Sequence, residues 1–362
     1  IADIQAVVAN CDSALNQAEK QAGTSARSAI IGIAGELVKG NTTTVRFTRK
    51  DPNKQIDIEE VDKIFNLVQE RALQIAKKQL SEDTGGKEIG LKLVNSALIA
   101  IDIDGYGVTN PIGFQGKDVQ VQLYTAFAPQ VHIGAIERVA EQLDLDLLTV
   151  AAEPFAVARA VIGDDPNANL SAILIDVGGG TTDIAVVSEG GVEGTVMFGI
   201  GGRSYTKSVE RDLSIDFERA ESLKLGLTSG RTPEPRVKSV EDALKKTLTV
   251  WLNGIELSLE EFTHLDHLPN RIFLCGGGSS LSLITDSLSQ SDWYKELPFT
   301  KKPQVQLIKP SQVVGIADET GLVDDHTYIT AMGLLRVGMD TLLQYEAPGD
   351  SVKDRLNRML RI

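Results

Sequence analysis

The stretch Asp176-Val177-Gly178-Gly179-Gly180-Thr181-Thr182-Asp183 decides how this chain is read. An apolar run, Ser171 to Ile175, precedes it, and a second, Ile184 to Val187, follows it. Two apolar runs flanking a glycine-rich centre predict a β-hairpin with a tight turn. A hairpin turn by itself needs one or two glycines and no paired acids. Three glycines instead let backbone N–H groups approach a polyphosphate without interference from Cβ atoms. Thr181 and Thr182 add hydroxyl donors. Asp176 and Asp183 close the two ends, where they can hold a magnesium ion, directly or through water, and orient an attacking water.

Working outward, the 362 residues suffice for two or more domains with their own cores. The hydrophobic share of 42% and charged share of 24% are those of a soluble globular protein. A net charge of −14 argues against a nucleic-acid partner, because no broad basic surface is left to neutralise phosphates. The two cysteines, Cys11 and Cys275, lack motif spacing, which fits a reducing cytoplasm; Cys275, inside an apolar run, reads as a small core residue. No apolar stretch is long enough to span a bilayer. His264 and His267 are spaced His-x-x-His without a cysteine or third ligand nearby, a poor basis for zinc.

Periodicity divides the chain further. Asp3 to Ala22 has helical spacing, ended by Gly23, and Ala29 to Ile33 reads as a strand. With no room before them for the strand and loop that usually open an α/β domain, an N-terminal truncation is expected. Thr42 to Phe47, Leu91 to Asp102 and Val119 to Ala126 read as strands, and Asp57 opens a long amphipathic helix to about Leu80. Asp104-Gly105 is taken as a hairpin turn. A helix over Val131–Leu143, a strand over Leu147–Ala151 and a helix from Glu153-Pro154 through Val161 precede the glycine hairpin. After it come Gly201-Gly202 before a helix from Ser204 to Leu213, then helices over Phe217–Leu225 and Val240–Leu259. The strand Arg271–Cys275 runs into Gly276-Gly277-Gly278 and a helix over Leu281–Leu288, and His326 to Leu343 forms a last helix. Expected boundaries are a first-lobe core at 1–42 and 129–168, an inserted subdomain at 43–128, a second-lobe core at 169–205 and 271–345, its outer subdomain at 206–270, and a linker with a terminal helix at 346–362.

Other motifs carry less weight alone. Gly276, Gly277 and Gly278 between a strand and a helix form a second backbone-donor site. Gly201 and Gly202 are further nucleotide-binding candidates. Glu221 and Lys224 share a helix face; taken alone they read as a solvated salt pair, the alternative being a carboxylate that accepts ribose hydroxyls and an ammonium that borders the base or phosphates. Glu153 at a helix start suits the dipole, and it can also polarise a water attacking a γ-phosphate. No G-x-x-x-x-G-K-[ST] is present, and Gly199-Ile200-Gly201-Gly202-Arg203-Ser204 fails the dinucleotide fingerprint at its last glycine.

The tail is distinctive. In Ser351–Ile362, Val352, Leu356, Met359 and Leu360 form one apolar stripe, with Ile362 near its end. Lys353, Arg355, Arg358 and Arg361 oppose it, a local reversal of sign. Such a helix docks on its own domain or lies in a membrane interface. Half-burying five apolar side chains gives roughly 4–7 kcal/mol, and each basic residue near an anionic leaflet adds about 1 kcal/mol. Ordering a dozen residues takes back much of that. One copy binds reversibly and an array binds firmly, so the tail suits a protein that polymerises.

In order, the motifs are a Glu-Pro helix, the D-x-G-G-G-T-x-D hairpin, a Glu-x-x-Lys helix, and a strand ending in Gly-Gly-Gly. This order resembles the actin-like ATPase superfamily. Within it the chain resembles the FtsA division proteins, through Val61-Asp62-Lys63-Ile64-Phe65, Asp104-Gly105 with Asn110-Pro111-Ile112-Gly113, Ala220-Glu221-Ser222-Leu223-Lys224 and the tail. The resemblance implies an α/β fold of two lobes, each with a mixed sheet flanked by helices, and a small α+β insertion. It implies ATP and Mg2+ as ligands. Asp176 would bind the metal, Gly178 to Thr182 would cradle phosphates, and Asp183 and Glu153 would position water. Glu221 and Lys224 would meet the ribose and adenine, and Gly276 to Gly278 would back the nucleoside. It also implies self-association, the FtsZ C-terminal peptide as partner, slow ATP hydrolysis at most, and a cytoplasmic protein peripheral on the inner face of the membrane. The alternatives are a PilM-like pilus-assembly relative and a phosphotransferase or chaperone ATPase of the same fold. The superfamily's N-terminal phosphate loop is missing from the sequence.

Overall fold

The computed structural model describes residues 3–162 and 169–345. In chain order the elements are α1 (Ile4–Ala22), β1 (Ser28–Ile33), β2 (Lys39–Thr48), α2 (Ile58–Asp83), β3 (Leu91–Ile103), β4 (Tyr106–Gly107), β5 (Asp118–Pro129), α3 (Gln130–Gln142), β6 (Asp146–Ala152) and α4 (Glu153–Ile162). They continue with β7 (Ala172–Val177), β8 (Thr182–Ser188), β9 (Gly191–Phe198), α5 (Gly202–Leu213), α6 (Phe217–Thr228), α7 (Glu234–Glu260), β10 (Arg271–Cys275), α8 (Ser282–Gln290), β11 (Gln304–Leu307) and α9 (Ile329–Tyr345). The chain divides into two compact units. Of the described residues, the first holds 3–33, 37–156 and 334–345, and the second holds 34–36, 157–162 and 169–333.

In the first unit, β2, β5, β3 and β4 form an antiparallel run, and β1 pairs with β6 in parallel. Helix α2 starts where Asp57 accepts a hydrogen bond from the Glu60 amide at 2.9 Å. Its apolar stripe, Val61, Ile64, Phe65 and Val68, packs on Val45, Ile101, Val119, Val121 and Leu123 from the sheet. β3 and β4 join through Asp104 and Gly105, both at positive φ (51° and 85°). That is the left-handed pair that a two-residue hairpin turn demands, and the Asp104 carboxylate accepts from the Asp118 amide at 2.8 Å. The Asp-Gly pair is a hairpin turn, as its sequence indicates.

The second unit holds a mixed sheet, ordered β11-β10-β7-β8-β9. β11, β10 and β7 run parallel; β8 and β9 return antiparallel. β7 is buried throughout and β8 is buried from Thr182 to Val187, as central strands require. One sheet face, with Ile173, Ile175, Val177, Ile184 and Val186, packs on Tyr205 and Val209 of α5 and on Leu244, Trp251 and Ile255 of α7. β9 and β11 escape a periodicity reading. β9 contains two glycines and β11 is a four-residue Gln-Val-Gln-Leu, so each takes its strand form from the neighbour it pairs with.

Trp251 is fully buried, and its Nε1 donates to Thr182 Oγ1 at 2.8 Å, tying α7 to the end of the hairpin. Trp251→Phe should therefore cost about 2 kcal/mol, from lost volume and a lost hydrogen bond. Val250→Ala, on the exposed side of the same helix, should stay within about 0.5 kcal/mol. Denaturant unfolding midpoints measure both.

Candidate functional site

The turn between β7 and β8 is the four residues Gly178, Gly179, Gly180 and Thr181, closed by a Gly178 N–H to Thr181 carbonyl bond of 2.9 Å. At its root Asp176 and Asp183 are cross-strand partners. Directly opposed residues project to the same face of a sheet, so the two carboxylates stand side by side. Both are buried. Burial pushes the Asp176 carboxyl above the usual carboxylate range, partly offset by a hydrogen bond donated from Thr330 Oγ1. Two like charges held together out of water call for a cation or a proton. Among the described residues no cluster of three or more acidic, histidine or cysteine side chains surrounds a point. The pair suits magnesium, which is bound through one or two carboxylates, water and substrate phosphate; Asp176 and Asp183 would hold it.

A second glycine segment meets the turn from below. The Gly202 amide donates to the Gly178 carbonyl at 2.9 Å, and the Arg203 amide to the Gly179 carbonyl at 2.8 Å. A Cβ on Gly201 would lie 2.6 Å from the Gly178 oxygen, so this approach of α5 requires glycine. Glu221 and Lys224 join the same assembly. Lys224 is buried, and its Nζ reaches the Gly202 carbonyl (3.1 Å), Thr206 Oγ1 (2.9 Å) and Glu221 Oε2 (2.8 Å). Glu221 also accepts from Thr206 Oγ1. The pair is thus no solvated surface couple. With three acceptors the ammonium is saturated, so Lys224 organises the start of α5 and Glu221, one-third exposed, keeps a face to solvent.

The third glycine segment lies on the other side of the hairpin. Gly276 has φ of 80°, and a Cβ there would overlap Asp176 Oδ1. A Cβ on Gly278 would sit 2.5 Å from Val177 Cγ1. The Gly276 amide donates to the His326 carbonyl at 3.1 Å. The three segments therefore converge on one hairpin: Gly201 on its turn, Gly276 and Gly278 on its first strand. Thr181 Oγ1 donates to Asp183 at 3.0 Å. Thr182, expected among the phosphate donors, is fully buried; its hydroxyl donates to the Ile200 carbonyl at 2.7 Å and accepts from Trp251. That side chain is engaged by α7 packing and supplies no hydroxyl at the surface of the turn.

Glu153 belongs to the first unit, half-buried at the start of α4. There Gly32 of β1 makes room for it: a Cβ on Gly32 would lie 2.8 Å from Glu153 Cγ. The candidate membrane residues Val352, Leu356, Met359, Leu360 and Ile362 lie outside the described residues. Thr330, Thr206, Trp251, Gly32 and His326 were not found from sequence. The contacts of Thr206 with Glu221, Trp251 with Thr182 and Thr330 with Asp176 span 15, 69 and 154 positions, and no local pattern marks them.

A mixed sheet whose central hairpin carries paired aspartates and a triple-glycine turn, in an α/β chain with helices on the sheet, is the actin-like ATPase fold. A solved PilM–PilN type IV pilus biogenesis complex shares that fold: TM-score 0.59, 17% identity, covering 90% of this chain and 85% of that one. In sequence, the family model for the cell division protein FtsA matches residues 173–333. The FtsA of Bacillus subtilis (strain 168) is 27% identical over 355 residues, 93% of this chain and 73% of that protein. The FtsA of Pseudomonas aeruginosa (strain PAO1) is 24% identical over 359 residues, 94% and 79% respectively. The chain is similar to FtsA over most of its length, and the resemblance read from its motifs is borne out.

Asp176 gives this site a pH signature. Its folded-state pKa is raised by burial, so the ionised carboxylate destabilises the ligand-free fold above that pKa, and the penalty vanishes below the unfolded-state value. Asp176→Asn should raise the unfolding midpoint at neutral pH, and the gain should fade as pH drops through the carboxylate range. Urea unfolding of both proteins at a series of pH values measures this.

Proposed function

We propose that the protein is an ATP-binding, FtsA-like division protein, in which nucleotide governs assembly and hydrolysis is slow. One observation carries the nucleotide reading. Gly179 and Gly180 are exposed at the tip of the turn, have no positive φ, and leave room for a Cβ; the single neighbour is Arg203 Nε, 3.9 Å from a Cβ on Gly179. The fold does not need glycine at these two positions. A ligand that must come close to the backbone does, and a phosphate chain beside two carboxylates and a magnesium ion is such a ligand. Gly178 to Thr181 would hold the phosphates, Asp176 and Asp183 the metal, Gly276 to Gly278 the nucleoside, and Glu221 the sugar; Asp183 and Glu153 would orient water.

The FtsA similarity supports the rest of the reading. Copies of the protein would self-associate, bind the C-terminal peptide of FtsZ and sit on the cytoplasmic face of the membrane through the basic, amphipathic segment 351–362. No helix among the described residues is long and apolar enough to cross a bilayer, so this attachment would be peripheral.

Gly180→Val separates fold from ligand. Its unfolding midpoint should shift by less than about 1 kcal/mol, while calorimetric affinity for Mg-ATP should fall at least about thirtyfold, or 2 kcal/mol. Equal affinity in the two proteins removes the nucleotide site. Flotation with anionic vesicles tests the tether: deletion of residues 351–362 should abolish the floating fraction, and equal flotation removes that role.

A further inference from the structure

Arg203 stands where helix chemistry disfavours a cation. It lies in the first turn of α5, which holds no acid. The N-terminal end of a helix carries partial positive charge and favours carboxylates. Lys207, four residues on, shares its helix face, and like charges at that spacing repel. Both residues are exposed, and among the described residues neither is paired with an acid. Local preference is thus broken in several ways at one residue, a pattern that belongs to functional sites.

What Arg203 does have is the glycine turn. Its amide donates to the Gly179 carbonyl at 2.8 Å, which fixes its backbone beside the turn. Its side chain then runs along the turn, with Nε 3.9 Å from the place of a Cβ on Gly179. The guanidinium therefore borders the exposed glycine pair that the fold leaves bare.

The charges already assembled there are unbalanced. Asp176, Asp183 and Glu221 are acids. Lys224, the other cation of the assembly, is buried and spends its charge on three acceptors of the fold. A polyphosphate brings more negative charge than one magnesium ion neutralises. A guanidinium is always charged and offers N–H donors in a planar fork that fits phosphate oxygens in pairs.

We propose that Arg203 is a phosphate-binding residue, whose guanidinium closes over a polyphosphate held on Gly178 to Thr181 and donates to its oxygens. The anion also relieves the clash of Arg203 with the helix dipole and with Lys207. This assignment deepens the nucleotide reading given above and rests on it for the identity of the ligand.

Calorimetry on the full chain with Mg-ATP, Mg-tripolyphosphate and adenosine tests it. Arg203→Gln should weaken Mg-ATP and Mg-tripolyphosphate at least about tenfold and change adenosine by less than about twofold. Arg203→Lys, which keeps the charge and loses the fork, should fall between. Lys207→Gln removes the same charge about 6 Å further along α5 and should weaken Mg-ATP less than about threefold. The ligand-free Arg203→Gln protein should unfold at a midpoint no lower than the wild type. If Arg203→Gln binds Mg-ATP as the wild type does, the assignment to Arg203 is overturned and the nucleotide reading stands. If it loses Mg-ATP and adenosine alike, or if Lys207→Gln is as damaging, Arg203 acts through the fold or the general field, and the contact is overturned. If the wild type takes up tripolyphosphate in an Arg203-dependent way but no adenine nucleotide, Arg203 keeps its role and the nucleotide reading fails. If it binds neither, both fall.

Discussion

The contact between the glycine turn and the start of α5 is the constraint on which the candidate site depends. Two main-chain hydrogen bonds run from Gly202 and Arg203 to the carbonyls of Gly178 and Gly179, and they form because Gly201 has no Cβ to strike the turn. Packed this way, α5 holds the turn from one side while its own first carbonyl, on Gly202, takes the buried ammonium of Lys224. Lys224 then holds Glu221 and Thr206. A change at Gly201 would therefore reach the hairpin, two helices and a buried ion pair together. Charge burial makes the arrangement sensitive, because a buried group that loses its partner costs more than the pair contributes.

The opposite side of the hairpin is organised by the same economy of space. Gly276 and Gly278 let β10 and its following turn press on Asp176 and Val177, and Asp176 stands in register with Cys275 on one side and Asp183 on the other. Burial pushes both the Asp176 carboxyl and the Cys275 thiol upward. The ligand-free unit thus holds Asp176 in an environment that disfavours its charge. Linkage makes this reciprocal: whatever neutralises Asp176 stabilises the fold.

Local signals made most elements legible. Asp3 and Asp57 at helix starts, Gly23 at a helix end and Asp104-Gly105 at a hairpin act within a few residues, so the sequence shows them directly. The β7–β8 hairpin was legible for the same reason: two apolar strands and their turn are contiguous. β9 and β11 were not, because a glycine-containing strand and a four-residue polar one derive their form from neighbours in the sheet. Thr182 shows the limit within a legible motif. Its place beside three glycines suggested a phosphate donor, yet Trp251, 69 residues away, claims its oxygen.

By itself the sequence determined the chemistry available: a glycine-bare turn between paired aspartates, two more glycine segments, a Glu-x-x-Lys helix and a basic amphipathic tail. It determined these because each is a contiguous pattern whose physical meaning is local. Tertiary structure alone decided which glycines the fold consumes and which it leaves bare. Gly201, Gly276 and Gly278 are required by close packing, while Gly179 and Gly180 meet almost nothing. It also decided that Lys224 is buried and saturated rather than solvated. Those distinctions depend on what approaches a residue through space, and that distance is not written in the order of the chain.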